Sequence, residues 1–238
     1  MSKSARSRQQ LQIGLIFLVI FGVIYFLSGS STEDFTILGI RAMNRGEMNS
    51  AITEFRKALE KDPDAVEPNS RLGWIYRRMK KFPESIEHLK KAAAGRPSDP
   101  EIQDELGLAL LGINNLAESE KAFRTAISFK KNEARFYNHL GMCLSRSSGR
   151  DREAVNVLQH AMKLDKNYVS PYINIGWHYF SRNKFPLALQ WFMAAYKLDP
   201  GSKKLLYNIS NTHKAMNRVY EYKRWLSLAR NARDPKTF

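Results

Sequence analysis

Residues 169–202 read VSPYINIGWHYFSRNKFPLALQWFMAAYKLDPGS, and this stretch decides the fold. Its apolar residues recur at the three- and four-residue intervals that are typical of amphipathic helices. Polar residues at 182–184 interrupt the pattern, and Asp199-Pro200 ends it, because proline cannot continue a helix. The stretch therefore predicts two short helices joined by a tight turn.

The rest of the chain repeats this unit at intervals of about 34 residues. Its Ile175-Gly176 pair fades to Ile209-Ser210 in the last unit, and the earlier pairs are Leu38-Gly39, Leu72-Gly73, Leu106-Gly107 and Leu140-Gly141. A second column consists of Ala58, Ala92, Ala126, Ala161, Ala195 and Ala229, each preceded three residues earlier by Phe or Leu. Six units in register exclude a chance pattern.

This period and these residue types resemble the tetratricopeptide repeat, a helix-turn-helix unit that stacks into a right-handed superhelix. The resemblance implies an all-α, right-handed superhelical solenoid of about six units within a domain at 32–238. The expected units are 32–65, 66–99, 100–133, 134–168, 169–202 and 203–236. The residue types fit this geometry, because small residues let paired helices approach closely and Phe or Leu fills the gap.

An uncharged, apolar run lies near the amino terminus. No charged residue occurs in the 24 residues from Gln9 through Thr32. At about 1.5 Å per residue the run reaches roughly 36 Å, enough to cross a hydrocarbon layer of about 30 Å. We interpret residues 11–31 as a single transmembrane helix that follows a basic tail at 1–10. A cleaved signal peptide is the alternative, since Ser28-Gly29-Ser30 places small residues suitably.

The charges on either side of this run predict its orientation. Lys3, Arg6 and Arg8 precede it, whereas the acidic pair Glu33-Asp34 follows it. The positive-inside rule then places the amino terminus in the cytoplasm. We expect a single-pass protein of the bacterial inner membrane, with its repeats in the periplasm.

Catalytic and metal-binding patterns are missing from the sequence. The lone Cys143 excludes an intrachain disulfide, and its place in a helix favours a packing role. The five histidines lack the close pairing or cysteine neighbours of zinc sites. No phosphate-binding glycine loop or nucleophile motif occurs either. We therefore expect a protein that is not an enzyme and has no catalytic site, metal site or cofactor.

The chain is strongly basic, with a formal net charge of +15. Such a charge favours an anionic partner or surface. Residues 203–238 carry nine basic and two acidic side chains, which predicts contact with acidic protein segments or anionic lipid headgroups. Near an anionic surface each basic residue contributes about 1 kcal/mol to the free energy of binding. Nucleic acid fits the charge but not the predicted compartment, so we do not expect it as a partner.

The resemblance also implies a peptide-binding groove, lined in this family by the first helix of each unit. Family peptide receptors often hold a peptide backbone with asparagines two residues before the glycine, where this chain has Asn174 and Asn208. Tryptophan, tyrosine and arginine are the side chains that most often anchor interfaces. The predicted groove residues are Trp74, Arg77, Arg78, Asn138, Met142, Arg146, Asn174, Trp177, Phe180, Tyr207, Asn208, Asn211 and Lys214. The alternative is that Trp74, Trp177 and Phe180 pack against neighbouring helices.

We predict a non-enzymatic, membrane-anchored scaffold or adaptor for assembly of an envelope multiprotein complex. Its partner would be an extended protein segment carrying apolar and acidic residues. The alternatives are a soluble periplasmic binding module, cleaved from its apolar segment, and an organelle outer-membrane import receptor with cytosolic repeats. A chaperone carboxylate clamp is disfavoured, because Thr36 and Ile40 stand where such receptors need lysine and asparagine.

Overall fold

The computed structural model describes residues 29–232, and every regular element in that range is an α-helix. The helices are α1 (Thr32–Asn44), α2 (Met48–Lys61), α3 (Val66–Arg78), α4 (Phe82–Gly95), α5 (Pro100–Gly112), α6 (Leu116–Phe129), α7 (Ala134–Arg146), α8 (Asp151–Leu164), α9 (Val169–Phe180), α10 (Phe185–Leu198), α11 (Lys203–Ala215) and α12 (Val219–Asn231). The basic tail and most of the proposed transmembrane helix lie outside the described residues. Between residues 29 and 232, no helix is both long and apolar enough to cross a membrane.

Consecutive helices pair as six hairpins, from α1 with α2 to α11 with α12, and each pair packs along its length. This arrangement confirms the prediction of an all-helical fold with about six helix-turn-helix units. The hairpins belong to two compact units: α1–α4 lie in the first, which ends at Arg96, and α5–α12 lie in the second, which begins at Pro97.

A close contact between a glycine and a large side chain holds each of the first five hairpins together. A Cβ atom added to Gly107 would lie 2.5 Å from Cε1 of Phe123. The same conflict arises between Gly39 and Phe55, Gly73 and Leu89, Gly141 and Leu158, and Gly176 and Phe192. All five large side chains are fully buried. The predicted close approach of the paired helices is therefore confirmed.

The sixth hairpin replaces this glycine with Ser210. The Oγ atom of Ser210 donates a hydrogen bond of 3.0 Å to the backbone oxygen of Tyr222 on α12. Earlier hairpins make the converse bond, in which a serine of the second helix donates to the glycine carbonyl, as Ser119 does to Gly107 at 2.8 Å. A buried hydroxyl thus finds a backbone partner in either arrangement, as buried polar groups require.

The turn inside each hairpin contains one residue in the left-handed backbone region. The positive φ angles belong to Gly46, Lys80, Asn114, Gly149, Asn183 and Asn217, and they range from 57° to 77°. Glycine and asparagine tolerate this region well, whereas a lysine there is strained. The sequence meets the requirement of the turn in five hairpins and departs from it at Lys80.

Candidate binding groove

Three first helices of the second unit, α5, α7 and α9, border an open cavity of about 290 Å³. Its lining residues are Leu111, Met142, Ser145, Arg146, Asn174, Trp177, His178 and Ser181. Four of the predicted groove residues therefore meet in one place, although they lie up to 35 positions apart in the sequence. The cavity combines an apolar wall with one cationic side chain and several hydrogen-bonding groups.

Trp177 is partly packed and partly exposed. Its ring makes edge contacts with Phe180 and Phe192, at centroid distances of 5.2 and 5.7 Å, yet 39% of the residue remains accessible. Phe180 in turn lies 5.3 Å from Phe185. The packing fixes the orientation of the indole, so the exposed part is a rigid apolar surface in the cavity. One side of the ring therefore packs within its hairpin, and the other side is exposed in the cavity.

Arg146 is held in place at the edge of the cavity. Its Nη1 atom donates to the backbone oxygen of Leu111, and its Nη2 atom donates to Oδ1 of Asn114, both at 2.8 Å. These bonds join α7 to the end of α5 and reduce the rotamer freedom of a long side chain. An anion that binds here meets a cation that is already oriented, so little conformational entropy is lost on binding.

The predicted asparagines differ in their exposure. Nδ2 of Asn174 donates a 2.7 Å hydrogen bond to Oδ1 of Asn138, which is buried. Asn208 is also buried, and within residues 29–232 its Nδ2 atom has no partner. One repeat after Asn138 the equivalent position holds Ile173, whose side chain offers no hydrogen-bond acceptor to Asn208. The prediction that Asn138 and Asn208 face a ligand is therefore corrected, because both residues are buried, and Asn138 is bonded to Asn174 of the neighbouring first helix.

His178 forms part of the cavity wall, although the sequence analysis assigned it no role in binding. Its ring is buried, with Nδ1 3.1 Å from Oγ of Ser145 and Nε2 3.8 Å from Oδ1 of Asp151. Burial lowers the pKa of His178, and the positive charge of Arg182 lowers it further, while Asp151 opposes both effects. The sequence did contain a signal for this residue. His178 stands two residues after the repeat glycine, a position that Ile75 and Cys143 occupy in other repeats.

The other predicted residues lie outside this cavity. On α3, the guanidinium carbon of Arg78 lies 4.9 Å from the ring centroid of the half-buried Trp74, which is a cation–π contact. Arg77 is half-buried on the same helix. On α11, Tyr207 is half-buried and Asn211 and Lys214 are exposed. None of these residues lines the cavity that Trp177 borders.

Tetratricopeptide repeat families match the chain at residues 38–100 and again at 134–168. The chain is 23% identical over 193 residues to the Hsp70-Hsp90 organizing protein of Triticum aestivum, and this match covers 79% of the chain. It is 25% identical over 161 residues to Tetratricopeptide repeat protein 6 of Homo sapiens, which covers 67% of this chain. These matches span 31% of the length of each relative.

Solved structures of repeat proteins resemble the fold. PilW, described as a widely conserved type IV pilus biogenesis factor, gives a TM-score of 0.73 at 18% identity, covering 84% of this chain and 93% of its own. A tetratricopeptide repeat protein from Parabacteroides merdae gives 0.72 at 14% identity, covering 87% and 82%. MamA gives 0.60 at 24% identity, covering 68% and 95%. The paired helices of this chain thus share their fold with these structures, and the segments at residues 38–100 and 134–168 match tetratricopeptide repeat models.

Proposed function

We propose that the chain is a non-catalytic, membrane-anchored adaptor that holds an extended segment of a partner protein while an envelope complex assembles. The cavity on α5, α7 and α9 carries this proposal, because it combines the exposed side of Trp177 with the oriented cation of Arg146. Tryptophan and arginine dominate the binding energy of protein interfaces, because each joins a large contact area to a polar group.

The lining of the cavity defines the chemistry of the partner segment. Leu111, Met142 and Trp177 form an apolar surface that accepts one apolar side chain. Arg146 favours an acidic residue next to it, and a bidentate pair with a carboxylate adds geometric specificity. Asn174 uses its Nδ2 atom on Asn138, so its Oδ1 atom accepts a hydrogen bond from the backbone of the segment.

Site-specific cross-linking in the native cells tests this proposal. A photoreactive side chain at Ser181, on the rim of the cavity, should capture a partner through one extended segment. The same group at Ser128, exposed at the end of α6, is the control. Trp177→Ala should remove the product at 181. Identical products from positions 181 and 128 would show that the cavity captures nothing specific.

The membrane anchor is the second part of the proposal and rests on the uncharged run and its flanking charges. Carbonate extraction should leave the protein in the membrane pellet, and protease added to spheroplasts should digest the repeats. A mature chain that begins near Ser31 would instead indicate the soluble periplasmic module. Repeats that stay protected until the inner membrane is lysed would indicate a cytosolic location, as in the import-receptor alternative.

A further inference from the structure

The outer face of α12 combines basic, aromatic and aliphatic side chains. Eight exposed residues share roughly one half of the helix surface at about 3.6 residues per turn. They are Val219, Tyr220, Lys223, Arg224, Ser227, Leu228, Arg230 and Asn231. None of them is acidic, and the nearest acid, Glu221, is half-buried at the border of this face. We refer to these eight residues as the α12 outer face.

The apolar members of the α12 outer face are unusually accessible. Tyr220 is 77% exposed, Val219 59% and Leu228 43%. The opposite side of α12 is fixed by packing: the Trp225 ring lies 5.3 Å from the Tyr196 ring on α10, and Ala229 is fully buried. The α12 outer face therefore points away from the hairpins of the second unit and cannot turn inward.

The charge around the α12 outer face is predominantly positive. Residues 203–232, which include α11 and α12, contain seven basic residues and one acidic residue. Lys214 and Arg218 lie on the turn side of α12, and both are exposed. A positive field of this kind attracts anionic surfaces and weakens as salt rises.

We propose that the α12 outer face docks on the surface of a bilayer that contains anionic phospholipids. Lysine and arginine would meet the phosphate groups, while Tyr220, Val219 and Leu228 would enter the boundary between headgroups and acyl chains. This mixture of cations with aromatic and aliphatic residues is the composition of helices that lie flat in the membrane interface. The face carries its apolar groups on a helix exterior rather than in a pocket, which suits a fluid surface better than an acidic peptide.

The strength of the attraction follows from the charges. Each basic residue near an anionic surface contributes about 1 kcal/mol, so removing two lowers the ratio of docked to undocked protein by about thirtyfold. Lys223→Glu combined with Arg224→Glu removes two cations from the α12 outer face and adds two anions, so the loss of docking should exceed thirtyfold. Lys61→Glu combined with Lys131→Glu alters the net charge equally at exposed positions of other hairpins, and it serves as the control.

An environment-sensitive fluorophore reports docking in the full chain. It is attached to Ser227→Cys at the centre of the α12 outer face, or to Ser128→Cys on α6, in a Cys143→Ala background whose folding is verified by its melting temperature. The chain is assembled with nanodiscs of phosphatidylcholine alone or of an equal mixture with phosphatidylglycerol. Blue-shifted emission at 227 but not at 128, only in the anionic discs, is the expected result.

Three variants make the outcome specific. The double charge reversal at 223 and 224 should abolish the shift, the control pair should retain it, and Tyr220→Ser should reduce it. An equal signal in neutral and anionic discs, or a shift that survives the charge reversal, would overturn the proposal. Emission that rises with protein concentration in the absence of lipid would also overturn it, because a second copy of the chain would then be the occupant.

Discussion

The interiors of the hairpins have nearly the same residues in every repeat, whereas the accessible faces of the first helices differ from one hairpin to the next. Inside, a glycine meets Phe or Leu at nearly the same distance in five successive hairpins. Outside, the place directly after the glycine holds Ile40, Trp74, Leu108, Met142 and Trp177 in those hairpins. The uniform interior fixes the fold, whereas the faces vary, so under the proposed function the specificity for a partner would reside in the faces.

A substitution inside a hairpin should have the largest effect on stability. Gly107→Leu places a side chain where even a Cβ atom would lie 2.5 Å from Phe123, which is itself fully buried. We expect the free energy of unfolding to fall by about 3 kcal/mol or more, the upper end of the cost of overpacking. Thermal unfolding followed by circular dichroism measures the change.

Two companion variants test whether the register of the repeat is correct. Ala126→Trp, on the facing helix α6, should destabilise similarly, because Ala126 is fully buried. Gly112→Ala, on an exposed position of α5, should leave the melting temperature unchanged or slightly higher, because alanine loses less freedom than glycine on folding. Normal unfolding of both Gly107→Leu and Ala126→Trp would mean that the two helices do not meet at these residues.

A substitution on an outer face should instead change binding. Trp177→Ala should weaken the interaction with the partner segment by about 2 kcal/mol, or roughly thirtyfold in Kd, because a rigid apolar anchor is lost. Trp191→Ala is the matched control, since Trp191 contacts Tyr172 and does not line the cavity. Calorimetric titration with the cross-linked segment as a synthetic peptide measures both. Equal losses in the two variants would point to a general loss of structure.

The cation at the edge of the cavity should have a smaller, salt-dependent effect. Arg146→Ala should slow association by about fivefold at low salt, because charges at the rim of an interface steer encounter more than they hold the complex. The effect should shrink as ionic strength rises. Arg152→Ala, exposed on α8, removes the same charge outside the cavity. Stopped-flow kinetics that are identical for the two variants would assign Arg146 a purely structural role.

The sequence predicts the hairpins well because their interiors repeat in register. It predicts the faces less well, because exposure there depends on how neighbouring first helices pack side by side. Asn174 and Asn208 look equally suited to hold a peptide, yet Asn174 is half-buried and donates to Asn138, whereas Asn208 is buried and its Nδ2 atom has no partner within residues 29–232. Likewise the hydrogen bond from Arg146 to the backbone of Leu111 joins residues 35 positions apart, which no local pattern encodes.

The smallest predicted effect concerns the turns inside the six hairpins. Their left-handed positions hold glycine or asparagine in five hairpins and lysine in one. Lys80 has a φ angle of 59°, a conformation that costs a non-glycine residue about 1–2 kcal/mol. Glycine removes this cost but loses about 0.5–1 kcal/mol through its greater freedom in the unfolded chain. Lys80→Gly should therefore stabilise the fold by about 0.5–1 kcal/mol, which corresponds to about 2 °C in melting temperature.

The reciprocal change Gly46→Lys should destabilise the first hairpin, whose turn has a φ angle of 77°. A lower melting temperature for Lys80→Gly would show that this turn does not require the left-handed conformation, and that the turns tolerate variation as the outer faces do.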